Sequence, residues 1–228
     1  MPTLHHFPLD PFCRRIRLAL GEYAVVTTME EERPWEHRPG FLALNPAGEV
    51  PVFLDDDGTV VCGILAVSEY LEETHGTGER TLLGPTPAAR AETRRLVSWF
   101  DGRFNQEITT PVLMEKAVRR FLPPEMGGGP PDMERVRTAL KRLPGHLEYI
   151  SRLVEERGLL AGDRPTMADL AAAVHISVLE YLDAVRWDGH ESAKLWYQRI
   201  KSRPSFRPLL SDRVRGINPP AVYSELDF

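Results

Sequence analysis

The residues able to do chemistry gather in a few places along the 228-residue chain. The first is Asp10-Pro11-Phe12-Cys13. This run signals a helix start, with Asp10 as N-cap and Pro11 at the first helical position. A helix N-terminus stabilises an anion, so a thiol placed there becomes a reactive thiolate. Here a carboxylate occupies that place, which caps the helix well but supplies no thiol nucleophile. Cys13 has no partner thiol for a redox cycle and reads as a small buried apolar residue. His5-His6 would suggest a metal, but adjacent strand residues point to opposite faces, and no third ligand is in view. No metal site and no cofactor are expected. Tyr23 falls on the apolar side of the helix and reads as core. Arg14, Arg15 and Arg17 have two readings, a solvated face or a surface for an acidic partner.

Two further places could hold a partner. Trp35 sits between Pro34 and Pro39 in a charged stretch, Glu30 to His37. It either anchors a protein contact or covers the edge of a sheet. The segment Asn218-Pro219-Pro220-Ala221-Val222-Tyr223-Ser224-Glu225-Leu226-Asp227-Phe228 opens on prolines that favour an extended backbone. Tyr223, Leu226 and Phe228 interleave there with Glu225, Asp227 and a terminal carboxylate. That is the make-up of a docking peptide with apolar anchors and an acidic rim. The competing reading folds it back onto its own domain.

The elements that must position these residues follow from periodicity. Thr3 to Phe7 is a strand candidate. Phe12, Ile16, Leu20 and Tyr23 mark one helical face. Val25 to Met29 is β-branched and strand-like. Asn45-Pro46-Ala47-Gly48 is a turn, Val50 to Leu54 a strand, and Asp56-Asp57-Gly58 a hairpin turn before Thr59 to Cys62. Residues 64–74 read as a helix. This β-α-β-β-β-α order is thioredoxin-like and gives a first domain at 1–75. Residues 76–87 form a linker by composition, and 88–212 are helical throughout, with 132–157 as one helix candidate. Thr166-Met167-Ala168-Asp169 is a capping signature for another. Residues 213–228 form an extended tail.

Composition bounds the function. Hydrophobic residues make up 42% and charged residues 27%, near the globular average. With 28 Lys and Arg against 33 Asp and Glu, the net charge is −5, so nucleic acid is not an expected partner. No apolar run has the length of a membrane span, and the first residues lack the apolar core of a signal peptide. The two cysteines, Cys13 and Cys62, have no CxxC or ligand-like spacing. Together these point to a reducing cytoplasm and no structural disulfide.

Three motifs carry a resemblance. Asn45-Pro46-Ala47-Gly48-Glu49-Val50-Pro51 is similar to an NPxGxVP run whose Val-Pro bond is cis. Gly162 to Asp169 resembles a G-D-x-x-T-x-A-D capping motif. Trp196 to Phe206 resembles a last core helix. In this order and spacing they resemble the glutathione transferase superfamily. The resemblance implies an α/β N-terminal thioredoxin-like domain followed by an all-α C-terminal domain. It also locates a glutathione site, and that site has lost its chemistry. Asp10 stands where thiol-using relatives carry the attacking cysteine, and its charge would repel a glutathione thiolate. Cys13 takes the position of a resolving thiol. Gly63 and Ile64 replace the Glu-Ser pair that grips the γ-glutamyl end. The lost bonds, at roughly 1–3 kcal/mol each, would weaken binding by about a hundredfold or more. Val50 and Pro51 keep the backbone edge.

Within the superfamily, the His-Phe-Pro-Leu-Asp-Pro opening, the missing catalytic groups and the acidic aromatic tail most resemble the FzlA family, FtsZ-binding division proteins of alphaproteobacteria. That resemblance implies a cytoplasmic homodimer at the division site, without enzymatic activity. Its implied partners are FtsZ filaments and the septal cell-wall synthesis machinery. Trp35, Tyr223, Glu225, Leu226, Asp227 and Phe228 are the partner-binding candidates. Two alternatives stand beside it: a divergent glutathione-dependent transferase or isomerase, and a scaffold of another complex.

Overall fold

A computed structural model describes residues 1–226. The chain divides into two compact units, one formed by Met1–Leu82 with Pro204–Asp212, the other by Leu83–Arg203 with the residues from Arg213 on.

The first unit is built on a four-stranded sheet in the order β2-β1-β3-β4. Strand β1 (Thr3–His6) runs parallel to β2 (Thr28–Glu31) and antiparallel to β3 (Val52–Leu54), which forms a hairpin with β4 (Val60–Cys62). Helix α1 (Pro11–Tyr23) connects β1 to β2. Short α2 (Pro39–Leu44) buries Phe41, and α3 (Ile64–His75) follows β4. The proline-bearing stretch from Glu30 to Phe41, which shows no regular period in sequence, thus runs into a short helix. The expected strand at Val25 begins only at Thr28. Ala24 ends α1 in the left-handed conformation, and the Val25 N–H is spent on the Leu20 carbonyl at 2.9 Å, closing the helix end.

The helical domain expected at 88–212 gives up its last stretch, because Pro204–Asp212, with α10 (Arg207–Leu210), packs in the first unit. The arginines explain why. Arg14 and Arg15 are fully buried, which corrects the solvated-face reading. Arg14 Nε donates to the Pro8 carbonyl at 2.7 Å, and its Nη2 lies 3.3 Å from Asp212. Arg17 grips the same carboxylate with two bonds of 2.8 Å. Paired guanidinium-carboxylate bonds fix direction as well as distance. Arg14 and Arg15 lie largely off the face that Phe12, Ile16, Leu20 and Tyr23 mark; the returning segment meets Arg14 and Arg17 through Asp212, and Arg15 bonds Ser68 of α3 at 3.2 Å.

The second unit is helical. Helix α4 (Pro87–Ser98) continues through π-helical turns at Trp99–Thr109 into α5 (Thr110–Lys116). The helix expected at 132–157 is two, α6 (Met133–Leu140) and α7 (Leu143–Arg157), broken ahead of Pro144. Pro144 fits the first turn of α7, where its missing N–H would have no helical partner, but inside one continuous helix it would remove a ladder bond and clash with the preceding turn. Helices α8 (Met167–Tyr181) and α9 (Glu191–Lys201) complete the unit. Every residue of α8 is buried. Its capping box forms as the sequence indicates. Asp169 also accepts bonds from Leu160 N at 3.0 Å and Trp196 Nε1 at 2.9 Å, tying α8 to α9. No described helix is long and apolar enough to cross a membrane.

Candidate functional site

At the start of α1, Asp10 holds an extended conformation, and its Oδ1 accepts the Cys13 N–H at 2.8 Å. The carboxylate therefore fills the anion position of this helix end, as its sequence dictates. Cys13 is fully buried. Burial, reinforced by the neighbouring Asp10 charge, pushes its thiol well above the usual range. A thiolate is the reactive form, so this geometry silences the thiol. Cys62 is half-buried, and its Sγ contacts the Leu44 carbonyl at 3.6 Å.

Opposite lies the start of α3. The Val50-Pro51 bond is cis. Gly63 N donates to the Pro51 carbonyl at 3.0 Å, which brings two of the sequence-predicted positions together. Gly63 caps α3 with backbone alone, at φ +84°. That is glycine territory, so the position is conformationally set against a carboxylate side chain. Ile64 is half-buried and apolar. One turn on, Ser68 Oγ donates to the Ile64 carbonyl at 2.7 Å and accepts from buried Arg15 at 3.2 Å. The polar capacity near this helix start is thus turned inward on the protein.

The phenols of this unit hold their protons. Tyr23 is buried and donates to Glu72 at 2.5 Å; burial first, then that bond, raises its pKa far above the ordinary phenol. The bond from Tyr70 to Asp55, 2.6 Å long, pushes Tyr70 up to about 12. The two histidines face apart, as strand geometry requires. The His5 ring lies 5.8 Å from the Phe41 ring, whereas His6 responds to the charges of Arg17, Asp212 and Arg14. Among the described residues no group of three potential ligands could hold a metal.

Trp35 lies in a single 3-10 turn, Pro34–Glu36, and is half-buried. Its ring meets the edge of Phe7 at 5.1 Å. One side of the indole is thereby braced against the buried Phe7 ring. Beside it, buried Glu32 pairs with Arg38, with Nε 3.1 Å from Oε2.

The tail departs from a free docking peptide. Tyr223 is 0% exposed, so it is an internal anchor and not a partner-facing one. Its ring meets Tyr181 edge-on at 5.1 Å, and the Lys201 ammonium stands 5.6 Å from it. Beyond it Glu225 is exposed and Leu226 half-buried. Asp227 and Phe228 lie outside the described residues. Sequence reasoning missed Lys201 and Tyr181. The signal available was Lys201 four residues after Tyr197, on the apolar face of its helix.

A family profile described as the N-terminal domain of glutathione S-transferase matches residues 11–74, and one for the C-terminal domain matches 131–213. The chain is 45% identical over 229 residues to FtsZ-localized protein A of Caulobacter vibrioides, covering 99% of this chain and 98% of that protein. Among solved structures it is similar to FzlA from C. crescentus, with a TM-score of 0.93, 44% identity, and 100% and 99% of the two chains covered. It is also similar to a glutathione S-transferase from Sinorhizobium meliloti 1021, with a TM-score of 0.95, 48% identity and both chains fully covered.

Proposed function

The chain belongs to the glutathione S-transferase superfamily, and we propose that within it this protein is a non-catalytic, cytoplasmic binder of FtsZ filaments that acts in cell division. One observation carries the reading: the helix start that would activate a thiol is occupied by Asp10 and a buried Cys13, in a chain 45% identical over its whole length to an FtsZ-localized protein. A fold kept without its chemistry is a surface for other molecules.

The protein acts as a homodimer. A two-fold dimer presents each patch twice, and a filament repeats its own sites, so weak contacts add to firm attachment. Trp35 is one contact, half-exposed and braced on Phe7. Glu225, Leu226, Asp227 and Phe228 form another, whose partner is the filament or the septal cell-wall synthesis machinery.

Co-sedimentation with FtsZ polymerised in GTP tests this. Full-length protein is expected in the pellet, and Trp35→Ala is expected to reduce it. The tail is tested by truncation after Ser224, which spares the buried Tyr223 anchor. A full-length protein that stays in the supernatant would overturn the proposal. The second reading, a divergent glutathione-dependent enzyme, draws on the 48% identity to the Sinorhizobium meliloti transferase. It requires glutathione binding by calorimetry and turnover that Cys13→Ala abolishes.

A further inference from the structure

The segment after Asp212 is fastened to the second unit twice, and one side chain takes part in both fastenings. The Tyr181 hydroxyl donates to the Ile217 carbonyl at 2.9 Å and accepts from Val214 N at 3.0 Å, clasping the turn that Ile217 N closes on the Val214 carbonyl. Arg120 adds a bond of 2.5 Å to the Gly216 carbonyl. After Pro219-Pro220, a 3-10 turn at Ala221–Ser224 drops Tyr223 onto the Tyr181 ring.

Beneath Tyr223 lies a buried charge pair. Lys201 Nζ donates to Glu180 Oε1 at 2.8 Å, and the Tyr197 hydroxyl donates to Oε2 at 2.7 Å. The rings of Tyr197 and Tyr223 stand 5.8 and 5.6 Å from the ammonium. Lys201 is fully buried. A buried ammonium with aromatic faces nearby gains from them, and Tyr223 helps close the site to water.

We infer that residues 213–226 form a locked strap, and that the lock of Tyr181, Lys201 and Tyr223 presents Val222, Glu225 and Leu226 as a preformed epitope. Val222 is 46% exposed and Glu225 is exposed, while Leu226 is half-buried. The Glu225 N–H is held by the Val222 carbonyl at 3.0 Å, so Val222 and Glu225 belong to one turn and Leu226 follows it directly. Apolar anchors beside a carboxylate fit a groove of a partner protein that has an apolar floor and a basic rim. Ordering the segment during folding removes that cost from binding, which separates this surface from a flexible linear motif. The partner assignment rests on the proposed role of the tail, whereas the lock does not.

Two measurements separate them. Hydrogen exchange on the full chain reads the lock alone. The amides of Ile217, Tyr223 and Glu225 are expected to be protected in the wild type. Tyr223→Ala should lose protection at Tyr223 and Glu225 while α8 keeps its own, and the milder Tyr181→Phe should loosen the 214–217 turn. Exchange of these amides in the wild type at free-peptide rates would overturn the lock. Co-sedimentation with FtsZ polymer reads the epitope. Tyr223→Ala should bind about tenfold more weakly or worse, as should a free peptide of residues 213–228. Peptide binding as tight as the full chain overturns the epitope, as does unchanged binding by Tyr223→Ala. Wild-type protein that does not bind polymer overturns the epitope together with the functional reading, and the exchange result then decides the lock by itself.

Discussion

Lys201→Met tests the energetics under the strap. The ammonium is fully buried, and the Glu180 side chain it bonds at 2.8 Å is 6% exposed. Burial lowers the Lys201 pKa, and the Glu180 charge works against that shift. Methionine keeps the length of the side chain but leaves the carboxylate buried without its counter-ion. Breaking one half of such a pair costs about 3–5 kcal/mol. For a chain of this size, at roughly 2–4 °C per kcal/mol, the melting temperature should fall by about 6–20 °C. Trp187 reports on the same place, because it stacks on Tyr197 at 5.6 Å and 24°. Urea unfolding followed by tryptophan fluorescence, to which Trp187 contributes with the other three tryptophans, is therefore the assay. The double variant Glu180→Gln/Lys201→Met removes both charges and keeps an acceptor for the Tyr197 hydroxyl. It should regain most of the loss, to within about 1–2 kcal/mol of wild type. A cost below about 1 kcal/mol for Lys201→Met would refute the reasoning, since no desolvated charge would then have been uncovered. A double variant weaker than the single one would refute it as well.

His6 gives a pH dependence. Burial first, then the Arg17 guanidinium, lowers its pKa from 6.5 to about 4. The unfolded chain therefore takes up a proton that the folded one refuses, so the His6 contribution is complete above pH 6.5 and is lost as pH falls toward about 4. The loss is roughly 3 kcal/mol, and His6→Gln should flatten that slope in urea titrations; an unchanged slope assigns it elsewhere. Gly63→Ala should cost about 1–2 kcal/mol through its positive φ alone, since a Cβ there meets no atom within 4 Å; neutral thermal behaviour would contradict this. Asp10→Ala should cost about 1 kcal/mol by removing the cap on Cys13 N, and a melting curve matching wild type would show the cap to be idle.

Much of the molecule was already decided by local sequence. Asp10-Pro11 starts α1, Thr166 and Asp169 cap α8, Asp56-Asp57-Gly58 turns the hairpin, and Gly63-Ile64 leaves the start of α3 without polar side chains. These features depend on neighbours a few residues apart, so the chain carries them wherever it goes. The motifs that placed the chain in its superfamily are of the same local kind. Tertiary structure alone decided the rest. Arg14 is buried and Arg17 is pinned half-buried because Asp212, almost two hundred residues later, returns to meet them. Tyr223 is internal because Tyr181 and Lys201 offer it an edge and a cation. A segment of this composition reads as a free peptide in sequence, yet its Tyr223 is received by a face of its own chain. Whether an arginine or a tyrosine meets water depends on which distant segment covers it, and periodicity along one helix or one tail holds no record of that segment.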